Sequence, residues 1–143
     1  MALFIPDANI LLNALRKDAP CHDVCRSWLQ ARARLGDSIG LTEVVEIALL
    51  RIGTHPKLLS MPPSDVLAFW NEGLWSYKGV FRLAPGSRHS EIFCKLIARV
   101  QLRGNDVNDA WLAAIALENQ ATLVSLDQGF SRFKQLSWLD PSI

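Results

Sequence analysis

The chain has 143 residues, the size of one domain, and a domain of this length buries about 68–70% of its unfolded surface. Hydrophobic residues make up 50% and charged residues 20% of it, a balance that excludes intrinsic disorder. A formal net charge of +1 excludes a surface that attracts polyanions as a whole, so any nucleic-acid contact must come from local basic patches or from a metal ion.

In chain order, Ala2 to Pro6 reads as a short buried strand ending at Asp7, and Ile10 to Leu15 begins a helix. Residues Met1 to Pro6 are apolar but carry no basic leader or cleavage site, so no signal peptide is expected and the cytoplasm is the default location. Cys21, Val24, Cys25, Trp28 and Leu29 follow the i, i+3, i+4, i+7, i+8 rule of an amphipathic helix, which Gly36 stops. Cys21 and Cys25 on that stripe read as core thiols, and with Cys94 they make neither a disulfide set nor a zinc site, which His22 does not complete.

Ser38 to Leu41 is a second strand, and Thr42 caps a helix from Glu43 to Ile52 that Gly53 and Pro56 close. Pro62-Pro63-Ser64 opens a helix to about Trp75, and Val80 to Leu83 is a third strand. Ser90 starts a helix through Leu102 that Gly104 ends, and Asp106 caps another to Asn119. Its interior, Ala110 to Leu117, is the longest unbroken apolar stretch and is too short to span a bilayer. Thr122 to Leu126 is a β-rich strand ending at Asp127. Strands alternating with helices predict a three-layer α/β/α domain over residues 1–143 with a central, mainly parallel sheet.

Carboxylates fall where these strands end. Asp7 follows the first strand, Thr42-Glu43 the second, and Asp127 the last strong one, while Asp109 sits in the first turn of a helix that is apolar nearly all round. Ligands of open α/β sheets bind outside the carboxyl ends of the strands. Two ionised carboxylates ~4 Å apart repel by about 4 kcal/mol at an effective dielectric near 20, and a divalent cation turns that repulsion into attraction. Each acid also has a structural reading: Asp7 and Asp127 as turn residues, Glu43 as a first-turn residue favoured by the helix dipole, Asp106 as a cap in an Asp-x-x-Asp box. Their joint placement favours a metal site.

These residues resemble a known family. Ile5-Pro6-Asp7-Ala8-Asn9 resembles the opening Asp-x-Asn of PIN domains, Asp109-Ala110-Trp111-Leu112-Ala113-Ala114 their Asp-Ala-x-Leu-Ala-Ala helix, and Thr122 to Asp127 the strand that ends in Thr-x-Asp. Leu50 to Pro56, Phe130 to Phe133 and Leu136 to Pro141 are similar to one VapC-type toxin subgroup, so the likeness covers essentially the whole chain. It implies a PIN-like fold and a Mg²⁺- or Mn²⁺-dependent endoribonuclease toxin that cuts RNA, is often a homodimer, and is neutralised by a VapB-like antitoxin from the same operon. Carried over, the acid quartet is Asp7, Glu43, Asp109 and Asp127, with Asn9 and Ser125 in support. Relatives often place the helix acid deeper, where this chain has Ala48, so Glu43 or Glu46 must serve; Glu43 is preferred because it directly follows the strand. Relatives also often carry an acid where this chain has Gly129, so the set suffices for one metal and falls short for a second.

In this reading Asp7, Asp109 and Asp127 hold the cation, Glu43 orients a water, and Ser125 positions a water or a phosphate oxygen. His22, His55 and His89 lie away from the acidic motifs and read as structural or surface groups. Arg16-Lys17, Arg51, Arg88 and Arg132-Lys134 are candidate RNA contacts, and Trp70, Trp75 and Tyr77 are core or partner residues before they are base-stacking ones. Two rivals remain: a catalytically silent PIN-fold binding module, and a phospho-acceptor receiver domain, whose adjacent early acids and late lysine are not evident here.

Overall fold

The computed structural model describes residues 2–143, which leaves Met1 of the apolar opening outside the described residues. Five strands, β1 (Leu3–Pro6), β2 (Ser38–Leu41), β3 (Val80–Arg82), β4 (Thr122–Val124) and β5 (Ser137–Leu139), form one sheet in the order β3-β2-β1-β4-β5. Every pairing is parallel, with Phe4 opposite Ile39 on one side and Thr122 on the other. β5 is the strand that periodicity missed. Its Ser137-Trp138-Leu139 is too short and too mixed in polarity to declare itself, and it exists by pairing with β4.

Between the strands run α1 (Ala8–Leu15), α2 (His22–Leu35), α3 (Glu43–Thr54), α4 (Pro63–Ala68, continued by a wider π-type turn, Phe69–Leu74), α5 (His89–Val100) and α6 (Asp106–Glu118). The connections from β1 to β2 and from β2 to β3 step in one direction across the sheet, and the connection from β3 to β4 steps back past β1. With right-handed crossovers, α1–α4 then cover one face and α5–α6 the other. The packing agrees: α1 meets α2 and α3, α3 meets α4, and α5 pairs with α6. The apolar stretch of α6 is a core element, with Ala110 and Leu112 to Ala116 at most 3% exposed. No helix among the described residues is long and apolar enough to cross a membrane.

Several local expectations are corrected. Gly36 stops α2 in the left-handed region (φ 74°), as read, but α5 ends at Gln101 in that conformation rather than at Gly104. Gly53 does not close α3. It lies inside the helix, where an added Cβ would stand 3.2 Å from both methyls of Val66, so the glycine lets α4 pack closely. Thr42 holds the cap position of α3 without a side-chain cap bond, and Asp106 is the exposed first residue of α6 rather than its cap, which is Asn105. Cys25 is buried, Cys21 half-buried and Cys94 exposed, and all three are free thiols.

Candidate active site

The strand order reverses between β1 and β4, and at such a switch point two neighbouring strands open a crevice at their carboxyl ends. Asp7 stands there. Its backbone N–H donates to the Val124 carbonyl at 2.8 Å, continuing the β1–β4 ladder one residue past the strand. Its carboxylate caps α1 by accepting the Ala8 N–H at 2.7 Å.

A hydroxyl from the far end of the chain fixes that carboxylate. Ser125, fully buried after β4, donates from Oγ to Asp7 Oδ2 at 2.8 Å. The same oxygen accepts from Asn9 Nδ2 at 3.0 Å and from the Asp127 N–H at 3.1 Å. One donor and two acceptor sites are all a serine hydroxyl has. Ser125 is therefore spent on orienting Asp7, which corrects the expectation that it positions a water or a phosphate oxygen. Asn9 closes the knot by accepting the Leu126 N–H on Oδ1 at 3.1 Å.

Asp109 projects from the first turn of α6, where the helix dipole favours negative charge. Arg132 Nη2 donates to its Oδ2 at 2.8 Å, with both side chains about a quarter exposed. Asp127 is exposed, and its Oδ1 accepts the Gly129 N–H at 2.8 Å, capping the 3₁₀ turn Gln128–Arg132. Burial raises the Asp7 carboxyl above its ordinary value, with the Ser125 and Ala8 hydrogen bonds opposing and the charge of Asp127 adding to the rise. Burial also raises Asp109, against the pull of Arg132, with Asp127 and Asp7 both contributing upward. The three carboxylates thus share one electrostatic neighbourhood.

Asp7, Thr42, Glu43, Asn108 and Asp109 line one cleft of about 440 Å³, with Val44, Ile47 and Trp111 on its apolar side and Arg51 also on its wall. That volume lies in the range of about 300–1,000 Å³ usual for ligand sites. Glu43 is exposed in this cleft. Glu46 is elsewhere: 5% exposed, it takes Arg82 Nε and Nη2 at 2.9 Å each and Trp70 Nε1 at 3.0 Å. Its carboxylate is consumed by a structural ion pair, so the reserve assigned to it is withdrawn.

Of the other candidates, His22 and His89 are buried structural groups bonded to the carbonyls of Asn13 and Trp111, both at 2.9 Å. The His55 ring accepts the Lys57 N–H at 3.0 Å on the surface. Arg16 pairs with Asp18. Trp70 and Trp75 pack edge to face, and Arg82 lies over the Trp75 ring. Arg132 is the residue that sequence reasoning misplaced. Read as a rim contact, it lies against a site carboxylate, brought there by a 3₁₀ turn that its local sequence does not signal.

The donors fit a hard cation. The cleft and the knot beside it offer carboxylate, hydroxyl and amide oxygens, with no thiol or imidazole among them. Among the described residues no three acidic, histidine or cysteine side chains are already gathered into a ready-made cage.

Comparison with known proteins supplies the relationship. The family model of the PIN domain matches residues 4–136. The chain is 38% identical over 137 residues to Ribonuclease VapC43 of Mycobacterium tuberculosis, covering 94% of this chain and 92% of that protein. It is 34% identical over 141 residues to Ribonuclease VapC33 of the same species, covering 97% and 98%. Its fold is similar to a structure of VapBC2 from Rickettsia felis bound to a promoter DNA fragment (TM-score 0.71, 18% identity, 96% and 97% covered). It is also similar to VapBC-1 from nontypeable Haemophilus influenzae (TM-score 0.70, 19% identity, 99% of each chain). The chain belongs to the PIN domain family, within its VapC ribonuclease group.

Proposed function

We propose that this chain is a Mg²⁺- or Mn²⁺-dependent endoribonuclease, the toxin of a toxin–antitoxin pair, which hydrolyses RNA phosphodiester bonds in the cytoplasm. The observation that supports the reading best is the placing of Asp7 and Asp109, far apart in sequence, on one cleft at the switch point of the sheet, with the charge of Asp127 raising both carboxyls and that of Asp7 raising Asp109. Asp7, Asp109 and Asp127 would hold the cation, and Glu43, the one glutamate of the cleft, would hold a water beside it. A divalent cation there supplies a readily ionised water and neutralises charge on the scissile phosphate. The chain's own residues do the positioning: Ser125 and Asn9 lock the Asp7 carboxylate, and Arg51 offers a cation on the cleft wall for the RNA backbone.

The partner proposed is a VapB-like antitoxin, supported by the likeness to toxin–antitoxin complexes. A homodimer is proposed as well. All five tryptophans are only partly buried, as expected of residues that meet a partner. The silent binding module has one observation in its favour, the Arg132–Asp109 pair, which would neutralise a site acid permanently. RNA cleavage by the purified chain with Mn²⁺, abolished by EDTA and by Asp7→Asn, supports the nuclease. Cleavage that persists in EDTA, or a folded chain that binds no metal, defeats it.

A further inference from the structure

The Arg132 guanidinium is held in place from three sides. Nη2 donates to Asp109 Oδ2 at 2.8 Å. Cζ lies 5.1 Å from the centre of the Phe133 ring, itself 3% exposed. Nη1 stands 3.0 Å from where a Cβ would sit on Gly129, and Asp127 Oδ1 is 3.0 Å from the same point. Gly129 therefore leaves room for this cation beside the Asp127 turn, and a side chain there would press on it. Nε is buried and has no hydrogen-bond partner among the described residues.

We infer that Arg132 is a built-in counter-cation, which neutralises Asp109 in the metal-free protein and competes with a divalent ion for it, so that it weakens and tunes metal affinity. The inference rests on the metal-dependent reading above. A carboxylate oxygen that accepts Nη2 at 2.8 Å cannot take a cation along the same direction, and two positive charges beside one carboxylate repel. Release is easy because only Nη2 is bonded to the acid, without a bidentate fork. Arg132 is thus a positioning residue that acts through Asp109.

Calorimetric titration of Mn²⁺ into the full chain tests this with Arg132→Gln, Arg132→Lys and Lys134→Gln. The last removes the same charge from an exposed neighbour. Arg132→Gln should bind Mn²⁺ roughly tenfold more tightly than wild type, the worth of one charge-assisted hydrogen bond. Lys134→Gln should differ from wild type by less than about twofold at physiological salt, and Arg132→Lys, which keeps a cation in reach, should stay near wild type.

A second measurement needs no folded glutamine variant. In ¹⁵N spectra the Arg132 Nε–H signal, identified by its absence in Arg132→Lys, should move on Mg²⁺ addition while that of exposed Arg99 stays. Arg132→Gln that binds Mn²⁺ no more tightly than Lys134→Gln, or an Arg132 signal indifferent to Mg²⁺ that binds, overturns the inference and leaves the nuclease reading intact. A wild type that binds neither ion overturns both.

Discussion

Ser125 Oγ and Asp7 Oδ2, separated by 118 positions in the chain, meet at 2.8 Å inside the protein. This bond ties the end of β4 to the end of β1, and it opposes the burial that raises the Asp7 carboxyl. Ser125→Ala should raise that carboxyl further. If turnover needs ionised Asp7, the acid limb of the pH–rate profile should move to higher pH. Rates measured from pH 5 to 8 check it; an unmoved limb would mean that Asp7 is not the group being titrated.

Asp7→Asn and Asp127→Asn should each lower RNA cleavage by at least about two orders of magnitude, since each removes charge from the cation. The metal-free stability of Asp127→Asn should be unchanged or raised by roughly 1–2 kcal/mol, because a mutual repulsion disappears. Its amide oxygen can still accept the Gly129 N–H that the carboxylate accepts, whereas Asp7→Asn also loses an acceptor for the Ser125 hydroxyl. Thermal melts and a cleavage assay on the same preparations decide the matter, and a markedly lower melting temperature in Asp127→Asn would mark that acid as structural.

Asp7 and Asp109 both have carboxyls raised above the ordinary 3.8. For a raised acid the native state binds the extra proton, so its contribution to stability is full below the unfolded value and is lost as pH rises through the folded one. The metal-free protein should therefore lose stability from these two groups as pH rises from about 4 through the mildly acidic range. The stabilisation by Mg²⁺ should grow over the same window, since ionised ligands bind better. Melting curves at several pH values, with and without Mg²⁺, test the sign; a Mg²⁺ effect independent of pH would speak against these two carboxyls as ligands.

The two glutamates of α3 should separate cleanly. Glu46→Gln weakens the bonds of a buried carboxylate to exposed Arg82 and to Trp70, and should lower the melting temperature. Glu43→Gln should reduce cleavage with little effect on melting, because its side chain is exposed in the cleft. Loss of cleavage in Glu46→Gln at temperatures where it is fully folded would contradict the division.

Thr42 is 1% exposed, and its hydroxyl has no partner among the described residues. An unsatisfied buried hydroxyl costs about 1–3 kcal/mol, so the isosteric Thr42→Val should raise metal-free stability by part of that amount. Denaturant titration reads it directly. A destabilised valine variant would show that a water or the backbone already satisfies the hydroxyl.

Much of this was legible in the residues themselves. The helix and strand order follows from periodicity and from punctuation such as Gly36 and Pro56. The apolar circumference of α6 announces burial, and the acids Asp7, Glu43, Asp109 and Asp127 fall where strands end or a buried helix begins. β5 was not legible, because Ser137-Trp138-Leu139 has no periodicity of its own and gains its hydrogen bonds only by pairing with β4. Gly53 misled for a related reason: a helix stop and a packing notch use the same residue, and only the approach of Val66 tells them apart.

The sequence by itself determined the fold class and the family, since these depend on local pattern and on the order of motifs along the chain. Tertiary structure alone decided what each polar group is used for. It gave the Ser125 hydroxyl proton to Asp7, Glu46 to Arg82 and Trp70, and Arg132 to Asp109. The physical reason is that each carboxylate, hydroxyl and guanidinium has a small, fixed number of hydrogen bonds to make. Which partners claim them depends on distances between residues up to 118 positions apart, and no local pattern carries that information.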